Sequence, residues 1–240
     1  MIMINEDTLR KFMEMTLTEL KRMDYVRPQD IPNIDLYMDQ ITTFMDEQLA
    51  ASKRYEDDKI LTKTMINNYA KNNLIPPPEK KKYSKEHVLT LIFIYYFKNI
   101  LSISDIQSIL NPITDKYFGN KDGLNMEDIY TEVFSLEKAE SQKVLKDLCK
   151  KYSIASDSFN QFPEEDREFL HTFSFICQLS FDVYIKKMMI EKMIDDLNSK
   201  KKADEDASKK EAAASKKEAA SKKDTASKKE TSKDSTKNSI

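Results

Sequence analysis

The chain has 240 residues, two glycines, two cysteines, no tryptophan and a net charge of −2. Glycine supplies the tight turns of phosphate-binding loops, so its scarcity favours helices, and the sequence contains no GxGxxG, GxxxxGKS/T or GxSxG pattern. A nucleotide-binding or serine-hydrolase reading therefore has no support, and the chain reads as a non-enzyme that needs no cofactor. In chain order, Asn5 or Asp7 caps a first helix that runs to about Met23, giving an N-terminal unit over 1–24. Arg27-Pro28 to Ile31-Pro32 is a break. Asp35 then caps an apolar-periodic stretch carrying Leu36, Met38, Ile41, Phe44, Met45 and Leu49.

Residues 62–73 form the most informative element. Thr62 is an N-cap, and Met65, Ile66, Tyr69 and Ala70 share one half of the helix. The other half carries Lys63, Thr64, Asn67, Asn68, Lys71 and Asn72, and contains no acid. Lysine and threonine suit phosphate oxygens, and asparagine can read an adenine edge with two hydrogen bonds. Asn73 ends the helix in a left-handed conformation. Leu74-Ile75 is extended, Pro76-Pro77-Pro78 cannot be helical, and Glu79 to Tyr83 returns the chain through Lys80, Lys81 and Lys82. Ser84 caps a buried helix over 84–98, and a short helix over 104–110 is expected to stop at Pro112. An irregular connection over about 111–124 carries Pro112, Gly119 and Gly123.

Val144, Leu145, Leu148, Cys149 and Tyr152 recur at helical spacing, which predicts a helix near 137–152. Pro163 opens a last helix, with Glu164, Glu165 and Asp166 in its first turn where the helix dipole favours acids. That helix runs to about Leu197 and is apolar on much of its circumference, from Phe169 and Phe173 through Phe181 and Met188 to Ile194. So wide an apolar face demands burial in the core or against a second subunit. Beyond it come Ser-Lys-Lys units starting at Ser208, Ser215, Ser221 and Ser227. Residues 198–240 cannot bury enough apolar surface to offset their ordering entropy, and read as a disordered tail.

Charge is uneven. The tail holds 13 lysines against 8 acids, and residues 53–98 hold 10 Lys or Arg against 5 acids, so the rest of the chain is strongly acidic. A basic island in an acidic body is the distribution of a nucleic-acid-binding module. Cys149 and Cys177 lie far apart without a CxxC pattern, and His87 and His171 show no ligand spacing, so two buried reduced thiols are expected and no metal site. The N-terminus lacks a basic leader, and no apolar run reaches about 18 residues. A cytoplasmic protein with no membrane contact is expected.

Met65 to Tyr69, Asn73 to Pro77, Tyr83-Ser84 and Ser102-Ile103-Ser104-Asp105-Ile106 together resemble the DNA-binding domain of the MerR regulators. Asn73 stands where that family usually has glycine, and Asn68 where it usually has arginine. With Ile31 to Gln40 added, residues 25–125 are similar to a bacterial family known only as domain of unknown function eighteen thirty-six. The resemblance implies a MerR-like winged helix-turn-helix over 25–112, with a small β wing at most; the helical periodicity beyond it makes the fold mainly α and the region over 113–197 the expected dimerisation unit. It further implies a transcriptional regulator; with the polar face of 62–73 and the basic excursion, this predicts duplex-DNA contacts through Lys63, Thr64, Asn67, Asn68, Lys71, Lys80, Lys81, Lys82 and Tyr83, and the apolar last helix predicts a homodimer. It names no effector. The other reading of the same residues is a protein-interaction adaptor that reuses the winged fold.

Overall fold

The computed structural model describes residues 6–22 and 25–234 and is mainly helical. Two units divide it, Met1–Glu191 and Lys192–Ile240. The first begins with α1, Glu6–Arg22; the expected cap Asn5 lies outside the described residues. Phe12 on α1 stacks on Tyr152 at 4.7 Å between ring centres and meets Phe175 edge-on at 5.4 Å. The proline-rich break holds a single 3-10 turn, Pro28–Asp30.

Strand β1, Leu36–Tyr37, precedes α2, Met38–Gln48. Asp35 is therefore not the cap expected of it, because Leu36 and Tyr37 are drawn into a sheet. The helix starts instead at Tyr37, whose N–H donates to Gln40 Oε1 at 2.9 Å. Helix α3, Lys63–Lys71, follows a connection over 49–62, longer than the turn of about three or four residues in ordinary helix-turn-helix units. Strand β2, Lys82–Tyr83, pairs antiparallel with β1, Leu36 opposite Tyr83 and Tyr37 opposite Lys82.

Helix α4, Lys85–Phe97, is the centre of the unit: every side chain from His87 to Tyr95 is buried. A helix that is apolar all round has no solvent face and must be enclosed by its neighbours. Leu89, Leu91, Ile92 and Ile94 are all fully buried, and each such side chain contributes about 1.5–3 kcal/mol relative to exposure. Helix α5 runs from Ile103 to Tyr117 with Pro112 inside it. The expected stop at Pro112 fails because Ile106, Leu110 and Thr114 bury one continuous face, while Pro112 itself lies on the solvent side. The irregular connection shrinks accordingly.

Helix α6, Met126–Ser156, starts well before the expected 137. Its N-cap is Asn125, whose Oδ1 accepts from the N–H groups of Glu127 at 2.8 Å and Asp128 at 3.1 Å. Tyr130 and Phe134 on α6 join Phe93 and Tyr96 of α4 and Tyr25 in an aromatic cluster, with Tyr130 and Phe134 centred 4.3 Å apart and Tyr25 stacked on Phe134 at 5.3 Å. The Tyr130 hydroxyl donates to the Val26 carbonyl at 2.7 Å.

Helix α7 spans Glu164–Asp234, and the boundary between the units falls inside it. The reading of 198–240 as disordered is corrected over 198–234, where the chain is helical. Alanine, lysine and glutamate are strong helix formers, and propensity acts without burial. Side chains from Asp195 to Lys210 are all exposed, so burial does not hold this stretch. Within the first unit α7 leaves many of its apolar side chains uncovered: Phe169 is 72% exposed, Phe181 64% and Tyr184 62%. The two cysteines are free thiols, but only Cys149 is part-buried; Cys177 is exposed, against expectation, because it lies on this uncovered face.

Candidate nucleic-acid interface

Helix α3 is built as its sequence implies. Thr62 Oγ1 accepts from Met65 N–H at 3.2 Å, and Ile66 and Tyr69 are buried. Burial of Tyr69 pushes its phenol above the ordinary range. Lys63, Thr64, Asn67, Asn68 and Lys71 are all exposed on the opposite face. The C-terminus is closed by Asn73 in the left-handed region, φ 55°, with Leu74 N–H donating to the Tyr69 carbonyl at 2.8 Å. Gln107 on α5 donates to the Asn72 carbonyl, which ties the end of α3 to the next helix.

The face is not free of acid, because α2 brings one to it. Asp39 is ion-paired with the Lys63 ammonium, both side chains being largely exposed. Asp39 follows Tyr37 closely in sequence, and the Lys82 ammonium lies 5.2 Å from the centre of the exposed Tyr37 ring. The start of α2 is thus gripped by Lys63 of α3 and by Lys82 of the excursion. Lys71, eight residues along the helix from Lys63, stands about 12 Å farther along its axis.

The excursion is anchored at its base and tight at its tip. Leu74 and Ile75 are 0% and 1% exposed. His87 bridges the base: Ser84 N–H donates to Nδ1 at 3.0 Å, so the other ring nitrogen, Nε2, carries the proton toward the Pro76 carbonyl at 3.2 Å. Tyr83 and Phe118 meet the imidazole edge-on at 5.4 and 4.7 Å. Burial holds the imidazole below its ordinary pKa, partly opposed by the Pro76 carbonyl. At the tip, Lys82 N–H donates to the Glu79 carbonyl at 2.8 Å across Lys80 and Lys81, whose φ angles are 49° and 64°. Two consecutive left-handed residues make a type I′ hairpin turn, the form whose twist matches paired strands. Lys80 and Lys81 are exposed, and Lys82 is half-buried.

Tyr83 is removed from the candidate surface. It is 3% exposed, and burial raises its phenol pKa. Strand alternation is the reason: Lys82 and Tyr83 are consecutive in β2, so only one of them faces outward. The residues that sequence reasoning missed are Asp39, Tyr37 and Gln107. All three reach the site across long sequence separations, which no local pattern reports. Among the described residues no group of three or more His, Cys, Asp or Glu is placed to hold a metal, and none of the helices is long and apolar enough to cross a membrane.

Fold and surface together define a small helical domain with a two-stranded sheet and a basic hairpin tip beside an exposed polar helix. Residues 26–133 match the model of the family described as Domain of unknown function (DUF1836), which supports placing this segment in that family. No curated protein and no solved structure matches the chain.

Proposed function

We propose that the protein is a non-enzymatic, cytoplasmic regulator that binds duplex DNA through a MerR-like winged helix-turn-helix. The observation that carries this reading is the exposed face of α3, where Lys63, Thr64, Asn67, Asn68 and Lys71 stand clear of a buried apolar side. Within α3 itself there is no acid, whereas an ordinary solvated face mixes both signs. Lysines neutralise phosphates, and Asn67 or Asn68 reads base edges in the major groove. The turn at Lys80 and Lys81 supplies backbone contacts as the wing. The uncovered apolar side chains of α7 pair with those of a second copy, and the resulting two-fold matches a pseudo-palindromic site.

The same uncovered side chains favour one competing reading, an adaptor whose partner is another protein. Changing Lys63, Asn67 and Lys71 together to Ala separates the two. Gel-shift titration at several salt concentrations is expected to show a sharp loss of affinity. The log–log salt slope should fall by about 0.9 for each phosphate that is no longer neutralised. A folded triple variant that binds DNA like the parent refutes DNA reading by α3 and favours the adaptor.

A further inference from the structure

The connection over 49–62 and the C-terminal end of α4 border a cleft of about 310 Å3. Four cationic side chains line it, Lys53, Arg54, Lys59 and Lys98. Asp58 lines the cleft and Asp46 stands beside Lys53, both hydrogen-bonded, whereas Glu56 and Asp57 are exposed and outside the lining. Asp46 holds Lys53 at 2.8 Å, and that hydrogen bond keeps its carboxyl below the ordinary range. Asp58 Oδ2 accepts from the backbone N–H groups of Arg54 at 3.2 Å and Tyr55 at 3.0 Å. The hydroxyls are engaged as well: Ser52 Oγ donates to the Leu49 carbonyl at 2.6 Å, which leaves Tyr95 to donate to Ser52.

Among the described residues Arg54, Lys59 and Lys98 form no ion pair within 4 Å, although Lys59 also acts on Asp46 at longer range. Lys98 is the unusual one. Its ammonium is half-buried, donates to the Ile60 carbonyl at 2.6 Å and lies 5.0 Å from the centre of the Tyr95 ring. A carbonyl and a ring face only partly replace the water that an ammonium gives up, so an anion in the cleft is electrostatically favoured there. Setting the four lining cations against Asp46 and Asp58 leaves a net of two positive charges, so a singly charged anion would leave one unneutralised. A phosphate monoester brings about two negative charges and a diphosphate more, and their oxygens suit a guanidinium fork beside point-like ammonium groups.

We propose that this cleft is a phosphate-binding site for a small phosphorylated ligand. Ile60 and Leu61, 2% and 5% exposed, run directly from the cleft to Thr62, the cap of α3. A ligand that clamps this connection to α4 thereby fixes where α3 starts. The binding itself stands apart from the DNA reading; only this regulatory consequence rests on it.

Calorimetric titration of the full chain with sodium pyrophosphate, at an ionic strength held constant with sodium chloride, tests the site. Saturable binding at one per chain is expected. Lys59→Gln and Arg54→Gln, both at exposed positions, should each weaken it about tenfold, as should Lys98→Gln, while Lys71→Ala leaves it unchanged. Binding that does not saturate, or that Lys59→Gln and Arg54→Gln leave intact, overturns the proposal even if Lys98→Gln fails to fold. Gel shifts with the same variants identify the source of the phosphate. Unchanged DNA affinity in Lys59→Gln and Arg54→Gln supports the free ligand; a parallel loss, with pyrophosphate competing against duplex, assigns the cleft to the DNA backbone and overturns the small-ligand proposal. A chain that binds no DNA but takes up pyrophosphate refutes the proposed function and leaves this site standing.

Discussion

The hairpin tip makes an opposed prediction for stability and binding. Lys81 holds φ at 64° and Lys80 at 49°, a region that costs a residue with a Cβ roughly 1–2 kcal/mol. Asparagine and glycine are the residues that type I′ turns prefer. Lys81→Gly removes the strain but adds freedom to the unfolded chain, a penalty of about 0.5–1 kcal/mol. The net expectation is a gain of about 0.5–1 kcal/mol, or a rise of about 1–4 °C in melting temperature for a unit of this size. The same change deletes an exposed ammonium from the hairpin tip, so on the proposed function DNA affinity should fall and the salt slope should drop by about 0.9. Lys81→Ala separates the two effects, because it loses the charge and keeps the strain. It should bind DNA as weakly as Lys81→Gly while melting near the parent. Thermal unfolding by circular dichroism and gel shifts on the three proteins would decide the matter. If Lys81→Gly melts at or below the parent, the strain argument is wrong. If it binds DNA with the parent's slope, Lys81 does not touch a phosphate.

Other outcomes follow from the surrounding interactions. Asp39→Asn releases Lys63 from its ion pair and should tighten DNA binding severalfold at low salt; weaker binding would show that Asp39 orders the face rather than competes for it. The depressed pKa of His87 gives stability a pH dependence. The unfolded chain takes up the proton near pH 6.5 and the folded chain only below it. Stability is therefore complete above that pH and is lost on acidification, by up to about 1.4 kcal/mol per pH unit, until folded His87 itself titrates. Urea titrations between pH 8 and 5 should show the slope in the parent and not in His87→Gln, and equal slopes would rule His87 out as its source. Phe181→Glu, at an exposed position of α7, should give a folded monomer in sedimentation equilibrium, whereas an unchanged dimer would place the interface elsewhere.

What the sequence can reveal is what local physics decides. The limits of α3 follow from the Thr62 cap and the left-handed Asn73, and those of α4 from Ser84 and an unbroken apolar run. The same reasoning misplaces Asp35 as a cap, because pairing of Leu36 with Tyr83 is decided by a partner far along the chain. It stops α5 at Pro112, although one proline's missing hydrogen bond is outweighed when Ile106, Leu110 and Thr114 share a buried face. It begins α6 too late because Asn125 caps a stretch whose apolar positions are filled by Tyr130 and Phe134, not by aliphatic residues at obvious spacing. In the candidate site, the exposed side chains of α3 are legible from helical period alone. Tyr83 is misassigned although the two-residue period of a strand already turns it away from Lys82. The Asp39 partner of Lys63 has no sequence signal at all.

The aromatic cluster bears on where this protein can be cut. The segment that matches the family begins at residue 26 and ends at residue 133. Tyr25 and Phe134, stacked on each other at 5.3 Å, are the residues immediately outside those two limits. They act as a clasp that closes the segment's two ends against α4. A fragment trimmed to 26–133 would lose both halves of the clasp and sever α6 after about two turns, leaving Phe93 and Tyr130 facing water. Sequence similarity thus draws its border through the middle of a packed structure, and a fragment meant to fold needs Tyr25 at one end and α6 through Ser156 at the other.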